Sequence, residues 1–582
     1  MNRALFIKQL DPTDRRSKTR LVIPLRVVLV SESSPAGSVP DGVVSDISLE
    51  NFSFHYSVSL KIDQQYQARL FAETKEIGGL TFLVKRLMPI DKNGFEIGAT
   101  FVDFDEGTLL NLLGLMERRL QQEGMTSFAD RRKTTRRNQR ALTKGLRRNR
   151  IERRSSMRES PFEDHLSSLE PLLRKQFFGR VVVTGLGVVS PIGIGRVPFS
   201  EGLKAGRIGV KEISKFDCSE FACTVAGQVD DEELRPHINL RESKRFDRST
   251  LLAWVAARLA LDDASIKVDA MSARRIGLAV GTSAGGIGWV FEQYERMKIH
   301  GVHGIHPYTI AAGSPNACSS EIMINLGLRG PCISLSQGCA SSAGAIEYGF
   351  QKIREKKAAI MLVGGTEAPL TYPLYAAFSR AGVLSSGKSL PRPFDSSRGG
   401  MVLGEGAGFL VLEDYGHAVA RHAKIYAEIM AIASTCDSHD MVVPDPSGIE
   451  PSHAMQNVLQ EASIEPSQLD VIFAHAPGTK TLDSMEDKAI RRLLLGMARS
   501  KPVTNIKSAV GYTQGACVAL EAAAACLAIR ENFLPGITTY KSGDDKWLDV
   551  VSQTRYQPVK MAMVNCFGFG GKNYCLLLSA PS

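Results

Sequence analysis

No apolar run reaches the roughly 18 residues that a bilayer-spanning helix needs, anywhere in the 582 residues. The opening Met1-Asn2-Arg3-Ala4-Leu5-Phe6 is also too short in apolar residues for a secretory signal, so a cytoplasmic location is expected. No CxxC pair is present, and the ten cysteines, spread from Cys218 to Cys575, follow no metal-ligand spacing. A chain of this length needs no disulfide scaffold, so reduced thiols and no metal are expected. Aromatic residues are missing between Arg131 and Arg158, where thirteen Lys or Arg stand against one acid, Glu152. Without rings to stack on bases, this stretch argues against a nucleic-acid polymer; an acidic protein or an anionic lipid surface would answer its charge. The net charge of +10 is therefore a property of one segment, and the remainder is close to neutral.

The length implies two or more domains. Residues 1–120 read as a small β-barrel, with strand-like runs at Leu21 to Val30, Gly42 to Ser48, Gly79 to Leu87 and Phe95 to Phe104, closed by a helix from Leu109 to Leu120. Residues 121–177 read as a basic linker, flexible or helical. At Val181-Val182-Val183-Thr184-Gly185-Leu186-Gly187 a new domain opens with a buried strand and a Gly-rich turn. A dinucleotide fold fails there, because Ser190 stands where the third Gly of GxGxxG belongs. Buried strand candidates follow at Ile276 to Gly281, Ala358 to Gly365, Gly408 to Glu413, Val471 to Ala474 and Met561 to Asn565, alternating with helical patterns in the manner of an α/β chain.

The stretch Ser336-Gln337-Gly338-Cys339-Ala340-Ser341-Ser342 places a short β-rich run, a Gly-containing turn and a helix in succession. Cys339 then stands near a helix N-terminus, where free backbone N–H groups and the dipole favour a thiolate. By itself the residue is equally a small buried hydrophobe.

From Phe178 to Ser582 the chain resembles the elongating class of β-ketoacyl-acyl-carrier-protein synthases, in the thiolase-like superfamily. The resemblance rests on Val181 to Gly187, Leu328-Arg329-Gly330-Pro331, Gly338 to Ser342, Pro393-Phe394-Asp395, Gly404-Glu405-Gly406-Ala407-Gly408, Asn505-Ile506-Lys507-Ser508 and Asn565 to Asn573, in family order. It implies an αβαβα fold of two similar halves, 178–420 and 421–582, and a homodimer, with a heterodimer as the other arrangement. It further implies acyl transfer to Cys339 from the phosphopantetheine thioester of an acyl carrier protein, without a further cofactor, and decarboxylative Claisen condensation with a malonyl thioester, in fatty-acid or polyketide synthesis. The oxyanion hole would be the N–H groups of Cys339 and Phe567, with Lys507 in support. The family's HGTxT reads His475-Ala476-Pro477-Gly478-Thr479-Lys480-Thr481. Ungapped alignment keeps His475 as the first histidine, in register with Asp483 and Glu486; alignment on Gly-Thr would substitute Pro477. The family's KSxxGH ends here in Tyr512, a neutral donor in the histidine's place or a packing residue. A degenerate partner resembling a chain-length factor is the alternative; such factors normally lack the cysteine.

In the first 120 residues, Arg15-Arg16-Ser17-Lys18-Thr19-Arg20 and Asp46-Ile47-Ser48-Leu49-Glu50-Asn51, with Phe95 to Val102, resemble the PilZ domain. That resemblance implies cyclic di-GMP as an effector, bound by Arg15, Arg16, Arg20, Asp46, Ser48 and Asn51, the last replacing the family's Gly. Arginines suit bidentate phosphate and guanine-edge contacts, while an ordinary barrel with a solvated basic segment has the same composition.

Overall fold

The computed structural model describes six N-terminal strands by their backbone, then residues 179–581 apart from 239–242, 271, 497–499 and 545–546. It divides into two compact units, Met1–Glu159 and Ser160–Ser582. In the first, β1 (Leu25–Val30), β2 (Asp41–Ile47), β3 (Asn51–Tyr56), β4 (Gln65–Ala72), β5 (Lys75–Asp91) and β6 (Gly94–Phe104) pair in the closed order β1-β2-β3-β6-β5-β4. Asp46 follows a register shift in the β2–β3 hairpin, and Asn51 opens β3. Arg15, Arg16, Arg20, Ser48, the 109–120 helix and the 121–177 linker lie outside the described residues.

The second unit is built on a mixed sheet. Its main strands are β7 (Val181–Ser190), β8 (Ile276–Gly281), β9 (Cys332–Leu335), β10 (Ile360–Glu367), β11 (Gly406–Asp414), β12 (Ala427–Cys436), β13 (Val471–Phe473), β14 (Pro502–Thr504), β15 (Met561–Gly568) and β16 (Lys572–Ser579). They pair in the order β9-β8-β10-β11-β7-β12-β16-β15-β13-β14. From either end of this series the first two pairings are parallel and the next two antiparallel, and the antiparallel β7–β12 pair lies at the centre. One half therefore repeats the topology of the other, strand for strand and in chain order.

Helices follow the same repeat. The helix α2 (Ser341–Arg354) lies between β9 and β10, and α5 (Cys517–Glu531) lies between β14 and β15. From Cys517 to Ile529 every residue of α5 is buried and all but Glu521 are apolar or small, so the helix belongs to an interior layer. One hydrophobic cluster joins α2 and α5 to both half-sheets through Val183, Leu410, Ile429 and Val564. A second packs α1 (Arg248–Asp263) on the first half, and a third packs α3 (Ile449–Ala462) and α4 (Lys480–Leu494) on the second. The layers thus run helix, sheet, helix, sheet, helix.

The expected Gly-rich turn after Val183 is absent: Gly185 and Gly187 lie within β7, buried and extended. Their role is close packing. A Cβ on Gly187 would meet the Ala256 carbonyl oxygen of α1 at 1.8 Å, and one on Gly185 the Ala260 carbonyl oxygen at 2.3 Å. The strands β12 and β16 escaped the sequence reading because Ala427–Cys436 is alanine-rich and Lys572–Ser579 begins with polar residues. Among the described residues, no helix is long and apolar enough to cross a membrane.

Gly187→Ala should force α1 off β7 and cost at least about 1 to 3 kcal/mol, the range for overpacking. Urea unfolding measures this, and an unchanged midpoint would refute the close-packing role.

Candidate active site

Cys339 occupies the turn between β9 and α2. Gly338 takes φ 59°, a left-handed conformation open to glycine, and Ser341 closes the turn by accepting the Gln337 N–H at 2.9 Å and donating to the Gly338 carbonyl at 2.6 Å. At the end of β8, Gly281 lets this turn approach, since a Cβ there would fall 2.2 Å from the Ser341 carbonyl carbon. From the other half, Gly568 passes over the sulfur; a Cβ on it would lie 3.5 Å from Cys339 Sγ. Burial pushes the Cys339 thiol up to about 11, against hydrogen bonds from the Tyr512 hydroxyl and from the backbone N–H groups of Phe569 and Cys339 itself.

That last observation corrects the oxyanion pair. The N–H groups at the sulfur are those of Cys339 and Phe569, whereas Phe567 lies in β15 opposite Asn573 and packs its ring 6.4 Å from that of His475. The sequence offers two phenylalanines flanking Gly568, and only the turn after β15 selects between them.

Tyr512 is buried and follows Gly511, whose φ of 76° turns the chain. Its backbone is held on both sides, the Tyr512 N–H donating to Val402 at 2.7 Å and the Gly404 N–H donating to the Tyr512 carbonyl at 2.9 Å. Gly404 of the Gly-Glu-Gly motif permits this contact, because a Cβ there would meet the Val510 carbonyl oxygen at 2.3 Å. Burial holds the phenol well above its ordinary range, so it stays a neutral donor.

His475 stands just past β13, with its ring edge-on to Tyr512 at 5.6 Å. It is 1% exposed, and neither ring nitrogen has a hydrogen-bond partner among the described residues. Burial, followed by the charge of Lys507, holds it well below the ordinary imidazole range, so it is neutral. The loop is fixed from beneath: Glu486 on α4 accepts the N–H groups of His475 and Ala476 at 2.9 and 2.7 Å, and Asp483 accepts those of Gly478 and Phe394 at 3.1 and 2.8 Å. This is the work of the two acids kept in register by the ungapped alignment.

Lys507 does not reach the sulfur. Its Nζ donates to Glu521 Oε1 at 2.9 Å and to the Ala474 carbonyl at 3.2 Å, making it a positioning residue for the His475 loop. Glu521 also accepts the Ile506 N–H at 3.2 Å. Sequence reading missed Glu367, which ends β10 and accepts N–H groups from Ser283, Ala284 and Gly515 at 2.7, 3.1 and 3.1 Å. It also missed Cys517 and Cys566, whose sulfurs lie with a His475 ring nitrogen within 4.8 Å of one another. No spacing rule could find that group, because its members come from three separate elements.

Comparison with known proteins places these residues in context. The family model described as beta-ketoacyl synthase, N-terminal domain, matches residues 179–418, and its C-terminal counterpart matches 426–541. The 3-oxoacyl-[acyl-carrier-protein] synthase 2 of Synechocystis sp. is 36% identical over 403 residues, covering 68% of this chain and 97% of that protein. The protein of the same name from Coxiella burnetii is 35% identical over 406 residues, covering 69% and 98%. Among solved structures, the ishigamide ketosynthase/chain length factor superposes with a TM-score of 0.65 at 32% identity, covering 70% of this chain and all of that one. A β-ketoacyl synthase from Burkholderia phymatum gives 0.65 at 30% identity, with the same coverage.

Alkylation of Cys339 should report its raised pKa. The thiolate is the reactive form, so a thiol at about 11 gives a rate that is slow at neutral pH and still climbing above pH ~10, where a free cysteine near 8.5 has levelled off. Tyr512→Phe removes a hydrogen bond that lowers this pKa and should move the profile to higher pH. Peptide mass spectrometry after iodoacetamide pulses measures both, and a plateau by pH ~8 would contradict the burial argument.

Proposed function

The chain belongs to the β-ketoacyl synthase family, and on that footing we propose that it is a condensing enzyme acting on acyl groups carried by acyl carrier protein. The carrying observation is the setting of Cys339: a sulfur ahead of α2, faced by the N–H groups of Cys339 and Phe569 and by the Tyr512 hydroxyl.

In the first step Cys339 Sγ attacks the acyl thioester carbonyl. The two N–H groups hold the oxyanion, and the phosphopantetheine sulfur leaves as the thiol, carrying the proton that Cys339 gives up. In the second, a malonyl thioester loses carbon dioxide. Its enolate oxygen is held by His475, whose neutral ring has both nitrogens free of protein partners, and by Tyr512, whose hydroxyl acylation of Cys339 releases. The enolate carbon attacks the acyl-Cys339 carbonyl, the carbon–sulfur bond breaks, and the sulfur takes up a proton. Two neutral donors suffice, because the enolate needs hydrogen bonds directed at its oxygen rather than a cation.

Dimerisation fits the sheet edge: β9 ends the large sheet, and its outer side pairs with no strand among the described residues. The solved relatives include one described as an acyl-carrier protein in complex with its ketosynthase, which supports the carrier as partner here. The second reading, a non-condensing partner of a ketosynthase, is favoured by one observation, Tyr512 in the second histidine's place. For the first unit, the arginine cluster and the Asp46-x-Ser48 motif of the sequence support cyclic di-GMP as the effector, coupled to the synthase through the basic linker.

Intact-mass measurement after incubation with acyl carrier protein should show an acyl adduct, lost in Cys339→Ala; no adduct on the wild-type chain would favour the non-condensing partner. Tyr512→Phe should lower condensation by about 10²- to 10³-fold, the size of losing one oxyanion-type donor, while acyl-Cys339 still forms. Recovery in Tyr512→His would show that the enolate position is intact.

Calorimetry on the full chain should show cyclic di-GMP binding, lost when Arg16→Ala is combined with Arg20→Ala. With coupling of about 1 to 3 kcal/mol, acylation or condensation should change several-fold on binding. Binding without a rate change would sever the coupling, and no binding would remove the nucleotide.

A further inference from the structure

Two buried thiols beside the condensing residues have no part in that chemistry. Cys517 opens α5 and donates to the Cys339 carbonyl at 3.5 Å; Cys566 lies in β15 and is hydrogen-bonded to Cys517. Together with His475 they place one imidazole nitrogen and two sulfurs within 4.8 Å of one another, all three residues buried. A second observation points the same way: His475 is 1% exposed, yet neither of its nitrogens is partnered among the described residues. A buried polar atom without a partner is costly and calls for an explanation.

We infer that His475, Cys517 and Cys566 form a binding site for one soft divalent cation of the zinc class. Zinc bonds of roughly 2.0 to 2.3 Å to nitrogen and sulfur set tetrahedral ligand atoms about 3.3 to 3.8 Å apart, which small side-chain rotations reach from the observed cluster. One nitrogen and two thiolates suit zinc or cobalt and discriminate against magnesium and calcium, which require oxygen ligands. The charge also closes. Lys507 is already paired with Glu521 at 2.9 Å, and two thiolates with a divalent ion add no net charge to the chamber. The three ligands come from the His475 loop, α5 and β15, and the ion joins them across the floor of the site. His475 cannot ligate and serve the enolate at once, so the metal-bound and condensing states exclude each other. That consequence alone rests on the condensing reading; the binding does not.

Full-length protein, reduced and stripped with a chelator, is titrated with Co²⁺. One equivalent should produce a thiolate-to-cobalt charge-transfer band, displaced by Zn²⁺, absent in Cys566→Ala and Cys517→Ala, and retained in Cys436→Ala, which removes an exposed thiol. No band in the wild type, or an undiminished band in Cys566→Ala, overturns the site. Because the buried variants may fail to fold, the wild type supplies a second readout: Zn²⁺ should slow alkylation of Cys517 and Cys566 in partly denaturing urea. Equal labelling with and without zinc overturns the proposal, as does recovery of the two cysteines as a disulfide. Acylation of Cys339 in the stripped protein is measured separately, so loss of the condensing reading leaves the metal result standing.

Discussion

Buried carboxylates that accept backbone N–H groups are the interaction on which the site depends. Four acids, Glu367, Asp483, Glu486 and Glu521, are each 0 to 1% exposed and each fasten turns that carry the reacting groups. Such turns are tight, water-free and outside any ladder, so their N–H groups would otherwise be orphaned at about 1 to 3 kcal/mol apiece. Glu367, Asp483 and Glu486 each satisfy two or three of them, and Glu521 satisfies that of Ile506 while pairing with Lys507. Burial opposes the charge: it pushes Glu367 and Asp483 up to about 7 in spite of the donors around them. The arrangement is preorganised, because each acid ties together segments distant in sequence. Glu367 alone links the loop after β8 with Gly515 near the start of α5.

The internal repeat explains why the site sits where it does. The helices α2 and α5 hold equivalent places in the two halves, and each brings its N-terminal turn into the middle layer. Cys339 precedes the first and Cys517 begins the second, with Tyr512 in the segment leading into it. The reacting sulfur thus comes from one half, and the groups that face it come from the other. Close approach between the halves depends on absent side chains at Gly404 and Gly568, the first against the Val510 backbone and the second against Cys339.

The same closeness sets the electrostatics. Burial keeps Cys339, Tyr512 and His475 neutral, the first two by raising their pKa and the last by lowering it. Charge sits behind the reacting atoms, on the Lys507–Glu521 pair and on the carboxylates that accept the backbone N–H groups of the turns. Low dielectric strengthens directed hydrogen bonds between such uncharged groups.

By itself the sequence determined the α/β class, most of the buried strands and the order of the motifs around Cys339, because apolar runs and Gly-bearing turns are local signals. It also determined that His475, Asp483 and Glu486 keep one register, since these positions share a loop and the first turns of a helix. Tertiary structure alone decided the rest. It made Gly185 and Gly187 packing residues of a strand instead of a turn, because the requirement comes from α1, far along the chain. It chose Phe569 over Phe567 as the donor at the sulfur, because Phe567 is held in the ladder opposite Asn573 while Phe569 lies in the turn that follows the strand. It gave Lys507 a positioning role through Ala474, and it gathered His475, Cys517 and Cys566, because proximity between separate elements leaves no trace in residue spacing.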